Sequence, residues 1–68
     1  MEKIRTDEGA RLRHIRRAHD IVQEELAARA GFSKQTIVLA EKGAASPAAM
    51  QKILSALVEL ADERSSAE

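Results

Sequence analysis

A chain of 68 residues, 44% of them hydrophobic, suits one small domain spanning 1–68 rather than two. The absence of Cys excludes a disulfide scaffold and thiolate metal sites, while a single aromatic residue, Phe32, and thirteen Ala argue against an all-β fold and for an all-α one. Eleven Lys and Arg balance eleven Asp and Glu, which excludes polyanion binding by bulk charge alone; a dipolar chain remains, because Arg11, Arg13, Arg16 and Arg17 crowd one N-terminal stretch.

The first predicted helix runs from about Asp7 to His19, with Thr6 as N-cap, acids in the first turn, and Leu12, Ile15 and His19 at helical spacing. Asp20 is the expected stop, since Asp tolerates turn geometry. A short second helix is expected from about Val22 to Ala30, with Leu26, Ala27 and Ala30 as its apolar stripe and Gly31 ending it. Ser33 caps a third helix over Lys34 to about Lys42, with Ile37, Ala40 and Glu41 facing inward and Gly43 as its stop. Ser46-Pro47 opens the fourth, a Ser cap followed by Pro at the first helical position. Its stripe is Met50, Ile53, Leu54, Leu57 and Leu60, and its expected end is Asp62 or Glu63. The ends, 1–5 and 64–68, are expected to be flexible. No apolar run is long enough for a membrane span, and Met1-Glu2-Lys3-Ile4-Arg5 lacks the apolar core of a secretory signal.

The informative stretch lies at about 22–42. Two short helices flank a turn at Gly31, with small Ala27 where a second helix would cross closely and Ile37 where a plug would enter the core. That is helix-turn-helix spacing. Gln23-Glu24-Glu25-Leu26-Ala27, Gly31-Phe32-Ser33, Thr36-Ile37, Glu41-Lys42-Gly43 and Pro47 together resemble the Cro/lambda-repressor-type (XRE) helix-turn-helix family. The resemblance covers roughly residues 9 to 57 and includes Leu12-Arg13 and Arg16 in helix 1.

The resemblance implies a compact all-α DNA-binding domain of four to five helices with the lambda-repressor-like fold. Gln23 would bond a phosphate. Lys34, Gln35 and Leu39 would face base edges in the major groove, with Ser33 and Thr36 near the backbone or thymine methyls. Lys42 would approach a phosphate, and Arg16 would reach Glu41 in a buried ion pair. Lys and Gln suit these base-edge roles, since Lys donates to guanine and Gln pairs bidentately with adenine. Several positions depart from the family pattern. Val22 stands where a Ser or Thr cap is usual, Asp20 where Gly is usual, Val38 and Leu39 are apolar, and Ala44-Ala45 replaces an often basic loop. These departures weaken the expected phosphate grip more than the fold.

Other residues read more plainly. Arg11 and Arg17 suit a solvated face, His14 a surface position and His19 a half-buried one. Glu24 and Glu25 compensate the helix dipole. No catalytic set, phosphate-binding Gly loop or metal-ligand spacing stands out, so neither an enzyme nor a cofactor is expected. Leu57, Val58, Leu60 and Ala61 cover more than one face of the last helix. They are the expected homodimer interface, which would also stabilise a small core. The partner is then double-stranded DNA with a two-fold symmetric operator, in the cytoplasm and nucleoid-associated when bound. The rival is a protein-interaction module or antitoxin of the same fold, with weak DNA binding and a protein partner such as a toxin.

Overall fold

The computed structural model describes residues 4–66, which form α1 (Ile4–Ala18), α2 (Gln23–Ala30), α3 (Lys34–Glu41) and α4 (Pro47–Ser66), with no strand among them. The fold is therefore all-α, as composition predicts. Helix α2 packs against both α3 and α4, and α1 closes the bundle against α3 and α4.

The first three helices end in the same way. After α1, the Ile21 N–H donates to the Arg16 carbonyl at 3.0 Å and the Asp20 N–H to Arg17 at 3.1 Å. After α2, Phe32 donates to Ala27 (2.9 Å) and Gly31 to Ala28 (3.3 Å); after α3, Ala44 donates to Leu39 (2.9 Å) and Gly43 to Ala40 (3.0 Å). Each is a Schellman closure, which satisfies orphan carbonyls and needs a left-handed residue at its corner. Gly31 and Gly43 supply it at φ 82°, and Asp20 at φ 58°. The Asp20 stop is thus a left-handed corner filled by one of the few residues with a side chain that tolerates it.

The helix starts differ more. Ser33 accepts from the Thr36 N–H at 3.4 Å, and Ser46 from the Ala49 N–H at 3.2 Å. Val22 caps α2 through its backbone alone, as its side chain requires. Helix α1 begins at Ile4, so Thr6 lies inside the helix and not at its cap. Helix α4 continues to Ser66, past the Asp62 or Glu63 end that the stripe predicts. Of the ends expected to be flexible, 4–5 and 64–66 are helical, and the remainder lies outside the described residues.

The core joins Leu12, Ile21, Leu26, Ala27, Ile37, Ala40, Met50, Ile53, Ala56, Leu57 and Leu60, with Ile15, Ala30, Phe32, Ala45 and Leu54 packed around it. Leu12, Ile21, Leu26, Ile37, Ile53 and Leu57 are fully buried, each contributing about 1.5–3 kcal/mol relative to exposure. Leu57 and Leu60 therefore face inward, which corrects their placement in an intermolecular interface: the carboxy-terminal half of α4 is needed to cover the single chain's own core. Ile21, in the α1–α2 connection, joins this core although no helical stripe includes it.

At Gly9, α1 crosses close to the end of α3. A Cβ there would fall 2.5 Å from the Glu41 carbonyl oxygen and 2.7 Å from that of Ala40. The absence of a side chain lets α1 lie directly against the end of α3, which sets where Arg16 meets Glu41.

Candidate nucleic-acid interface

Helices α2 and α3 are joined by the Gly31 corner and the Ser33 cap, so the turn has three residues and a fixed geometry. Ile37 and Ala40 anchor α3 in the core, with no exposure. The opposite face turns outward. Ser33, Lys34, Gln35, Leu39 and Lys42 are exposed, and Thr36 and Val38 are half-buried. Leu39 keeps 42% of its surface accessible. The residues assigned to base edges thus share one outward face of α3, with Ser33 and Thr36 at its amino-terminal edge.

Beside this face lies an open depression lined by Arg13, Arg16, Val22, Gln23, Glu24, Val38, Glu41 and Lys42. Its floor is an ion-pair network. Arg16 Nε donates to Glu41 Oε2 at 2.5 Å and Nη2 to Oε1 at 3.3 Å, while Nη1 donates to the Ile21 carbonyl at 2.9 Å. Gln23 Nε2 donates to Glu41 Oε1 at 3.2 Å. The guanidinium fork suits a carboxylate in this way. It also offsets an otherwise unfavourable charge, because Glu41 is an acid at the carboxyl end of a helix. One network therefore fixes the end of α1, the start of α2 and the end of α3.

Residues 12–57, well over half of the chain, match the helix-turn-helix family. The chain belongs to that family, in its Cro/lambda-repressor-type branch. Searches of curated proteins and of solved structures returned no significant match. The helix-turn-helix family is one of DNA-binding domains and not of enzymes. Among the described residues no helix is long and apolar enough to cross a membrane.

Within this helix-turn-helix, the Arg16–Glu41 pair forms as the resemblance implies. Gln23 differs in detail: its amide donates to Glu41 at 3.2 Å in the free protein. Lys34 is not free either, since its Nζ lies 3.2 Å from Glu24 Oε2. That carboxyl is held below the usual carboxylate range, first by a hydrogen bond from its own backbone N–H and then by Lys34. Residue type alone does not mark Arg13 and Glu24 for the site. Position was the available signal: Arg13 precedes Arg16 by three residues on α1, and Glu24 adjoins Gln23.

On the far side of the domain, Ile15, Leu54, Leu57, Val58, Ala61, Asp62 and Ser65 line a shallow apolar groove. Val58 keeps 66% of its surface accessible and Ala61 is half-buried. Of the four residues assigned to a dimer interface, these two remain on the surface.

Proposed function

We propose that this chain is a sequence-specific transcriptional regulator, a homodimeric repressor or controller protein that places α3 in the major groove. The observation that carries the reading is the outward face of α3, rigidly seated beside the Arg16–Glu41–Gln23 network. Lys34, Gln35 and Leu39 read base edges in this assignment. Ser33 and Thr36 lie along the backbone or against thymine methyls, and Gln23 and Lys42 meet phosphates. Base contacts supply discrimination and phosphate contacts supply register and affinity. Val58 and Ala61, with half-buried Leu54 and Ile15, form the two-fold contact, which sets recognition helices about 34 Å apart. The protein acts in the cytoplasm, on the nucleoid when bound.

The test is selection from random duplex DNA by the purified protein at near-physiological salt. Enrichment of a two-fold symmetric motif, with half-sites about 10 base pairs apart, supports both operator reading and dimer. A single asymmetric half-site keeps the DNA reading and removes the dimer. No enrichment by folded protein overturns the reading.

A second reading, a protein-interaction module or antitoxin of this fold, draws on the zero net charge and on exposed, apolar Leu39. A Lys34→Ala, Gln35→Ala double variant separates the two. Under the first reading sequence preference collapses while the fold persists. Under the second, DNA behaviour barely changes and a protein partner such as a toxin is lost.

A further inference from the structure

The DNA-binding assignment gives Glu24 no role, although it stands beside the residues that carry that assignment. Glu24 and Glu25 both sit in the first turn of α2, where acids are favourable. The two part company in the fold. Glu25 turns to α4, where Arg64 Nη2 donates to both its oxygens at 2.8 and 2.9 Å. Glu24 turns to α3 and lies 3.2 Å from Lys34 Nζ. It also lines the depression that holds Gln23, Arg13 and Lys42. In a surface built to meet a polyanion, an ionised carboxylate at that place opposes binding, and dipole compensation alone is already served by Glu25.

We infer that Glu24 is a specificity-determining residue that tethers Lys34 over the base-reading end of α3 and repels phosphate, lowering affinity for non-specific DNA more than for the operator. The inference rests on the DNA-binding reading above. Its physical basis is the character of lysine. An ammonium on a four-carbon stem has three donors and many rotamers, so an untethered Lys34 is free to reach any nearby phosphate. Paired with Glu24 across 3.2 Å, with side chains 54% and 64% exposed, it is biased toward one position and keeps donors for guanine O6 and N7, an arrangement that only the right base completes. On other sequences the exposed pair with Glu24 still competes weakly for Lys34, and the carboxylate faces the phosphates. Arg13 and Lys42 line the same depression, so phosphate there meets cations as well as the Glu24 carboxylate.

The test compares Glu24→Gln with wild type on two duplexes, the one enriched by the selection described above and a shuffled duplex of the same composition, over a salt series. The expected result is a several-fold to tenfold gain on the shuffled duplex, a smaller gain or a loss on the enriched one, and a salt dependence on the shuffled duplex steeper by about one phosphate contact. The same substitution in a Lys34→Ala background should lose the share of that gain that a released Lys34 supplies and keep the share that comes from removing the carboxylate charge. Equal gains on both duplexes, an unchanged shuffled-duplex affinity, or an undiminished gain without Lys34 each overturn the inference. Helical circular dichroism and melting confirm that each variant is folded. Wild-type discrimination between the duplexes tests the DNA reading itself, so a failure of that reading shows before the variant is compared.

Discussion

Arg16 and Glu41 join α1 to α3 with side chains 12% and 6% exposed. Arg29 and Arg64 join α2 to the end of α4 in a different setting. Arg29 meets Glu59 at 3.3 Å and Glu63 at 2.9 Å, and Arg64 meets Glu25 at 2.8 Å, with side chains from 34% to 61% exposed. Both regions use Arg–carboxylate forks across similar sequence distances. The first sits where water is scarce, and every donor it turns inward is matched, by Glu41 or by the Ile21 carbonyl. The second is bathed in solvent. Burial therefore decides which pair the fold depends on. An inner pair is costly to break because its survivor is stranded, whereas an outer pair is replaced by water.

Breaking the inner pair has the largest expected effect. Glu41→Ala leaves the Arg16 guanidinium nearly buried without its counter-ion and removes the acceptor of Gln23. The expected loss is about 3–5 kcal/mol. That is comparable to the whole stability of a domain this small, about 3–5 kcal/mol. Circular dichroism at 25 °C should show a largely unfolded chain. The double replacement Arg16→Met with Glu41→Leu sharpens the point. Removing both charges together should restore folding, since a buried pair exchanged for apolar side chains is often neutral or stabilising. A double variant as unstable as the single one would contradict this account.

Next in size is Gly9→Ala, which attacks the same region without touching a charge. The new methyl would meet backbone oxygens of Ala40 and Glu41, which cannot swing aside as a side chain can. Helices α1 and α3 must separate, at a cost of about 1–3 kcal/mol. Urea unfolding should give a lower midpoint with an unchanged slope. Alanine is otherwise the better helix former, so a midpoint that rises would show that the close approach gives way easily.

The two regions also differ in how far the sequence disclosed them. Gly31, Gly43, Ser33 and Ser46-Pro47 are legible because caps and left-handed corners are local chemistry, decided within a few residues. Ile37 and Ala40 follow from helical spacing. The Arg16–Glu41 pair came from family resemblance, since a separation of 25 residues carries no periodic signal. The outer clamp was not legible at all. Helix α4 extends past Glu63 where Glu63 and Arg64 bind α2, and the stripe of Met50 to Leu60 contains no trace of those partners. Ala56 likewise enters the core although the predicted stripe does not include it. The same holds for Lys34, whose type marks it as a base reader but whose carboxylate partner lies one helix away.

In the outer region, Arg64→Ala should cost less than about 1 kcal/mol, because the pair with Glu25 is open to water and screened by salt. Melting in low salt should show a small drop that shrinks as salt is raised. A large drop, insensitive to salt, would mean that this clamp behaves like the inner pair and would erase the contrast.

The smallest expected effect is the share of the pH dependence that Glu63 contributes. Its carboxyl is held below its ordinary value of 4.5, chiefly by the hydrogen bond from Arg29, with the charges of Arg29 and Arg64 acting in the same direction. A carboxyl whose value is lower in the folded chain stabilises the fold while it is ionised in both states. That contribution is fully present above its unfolded value and fades as pH falls through the lowered one, when the folded carboxyl also takes a proton. Arg29 is shifted the other way, upward, by the same partner, and being charged throughout the acid range it adds no slope there. Glu63→Gln should therefore be slightly less stable than wild type at neutral pH and equal to it in strong acid. The difference between the two melting curves should close below the ordinary value of 4.5 rather than near neutrality. A gap that stays constant with pH would assign the effect of Glu63 to packing along α4 and leave the outer clamp without a measurable electrostatic share.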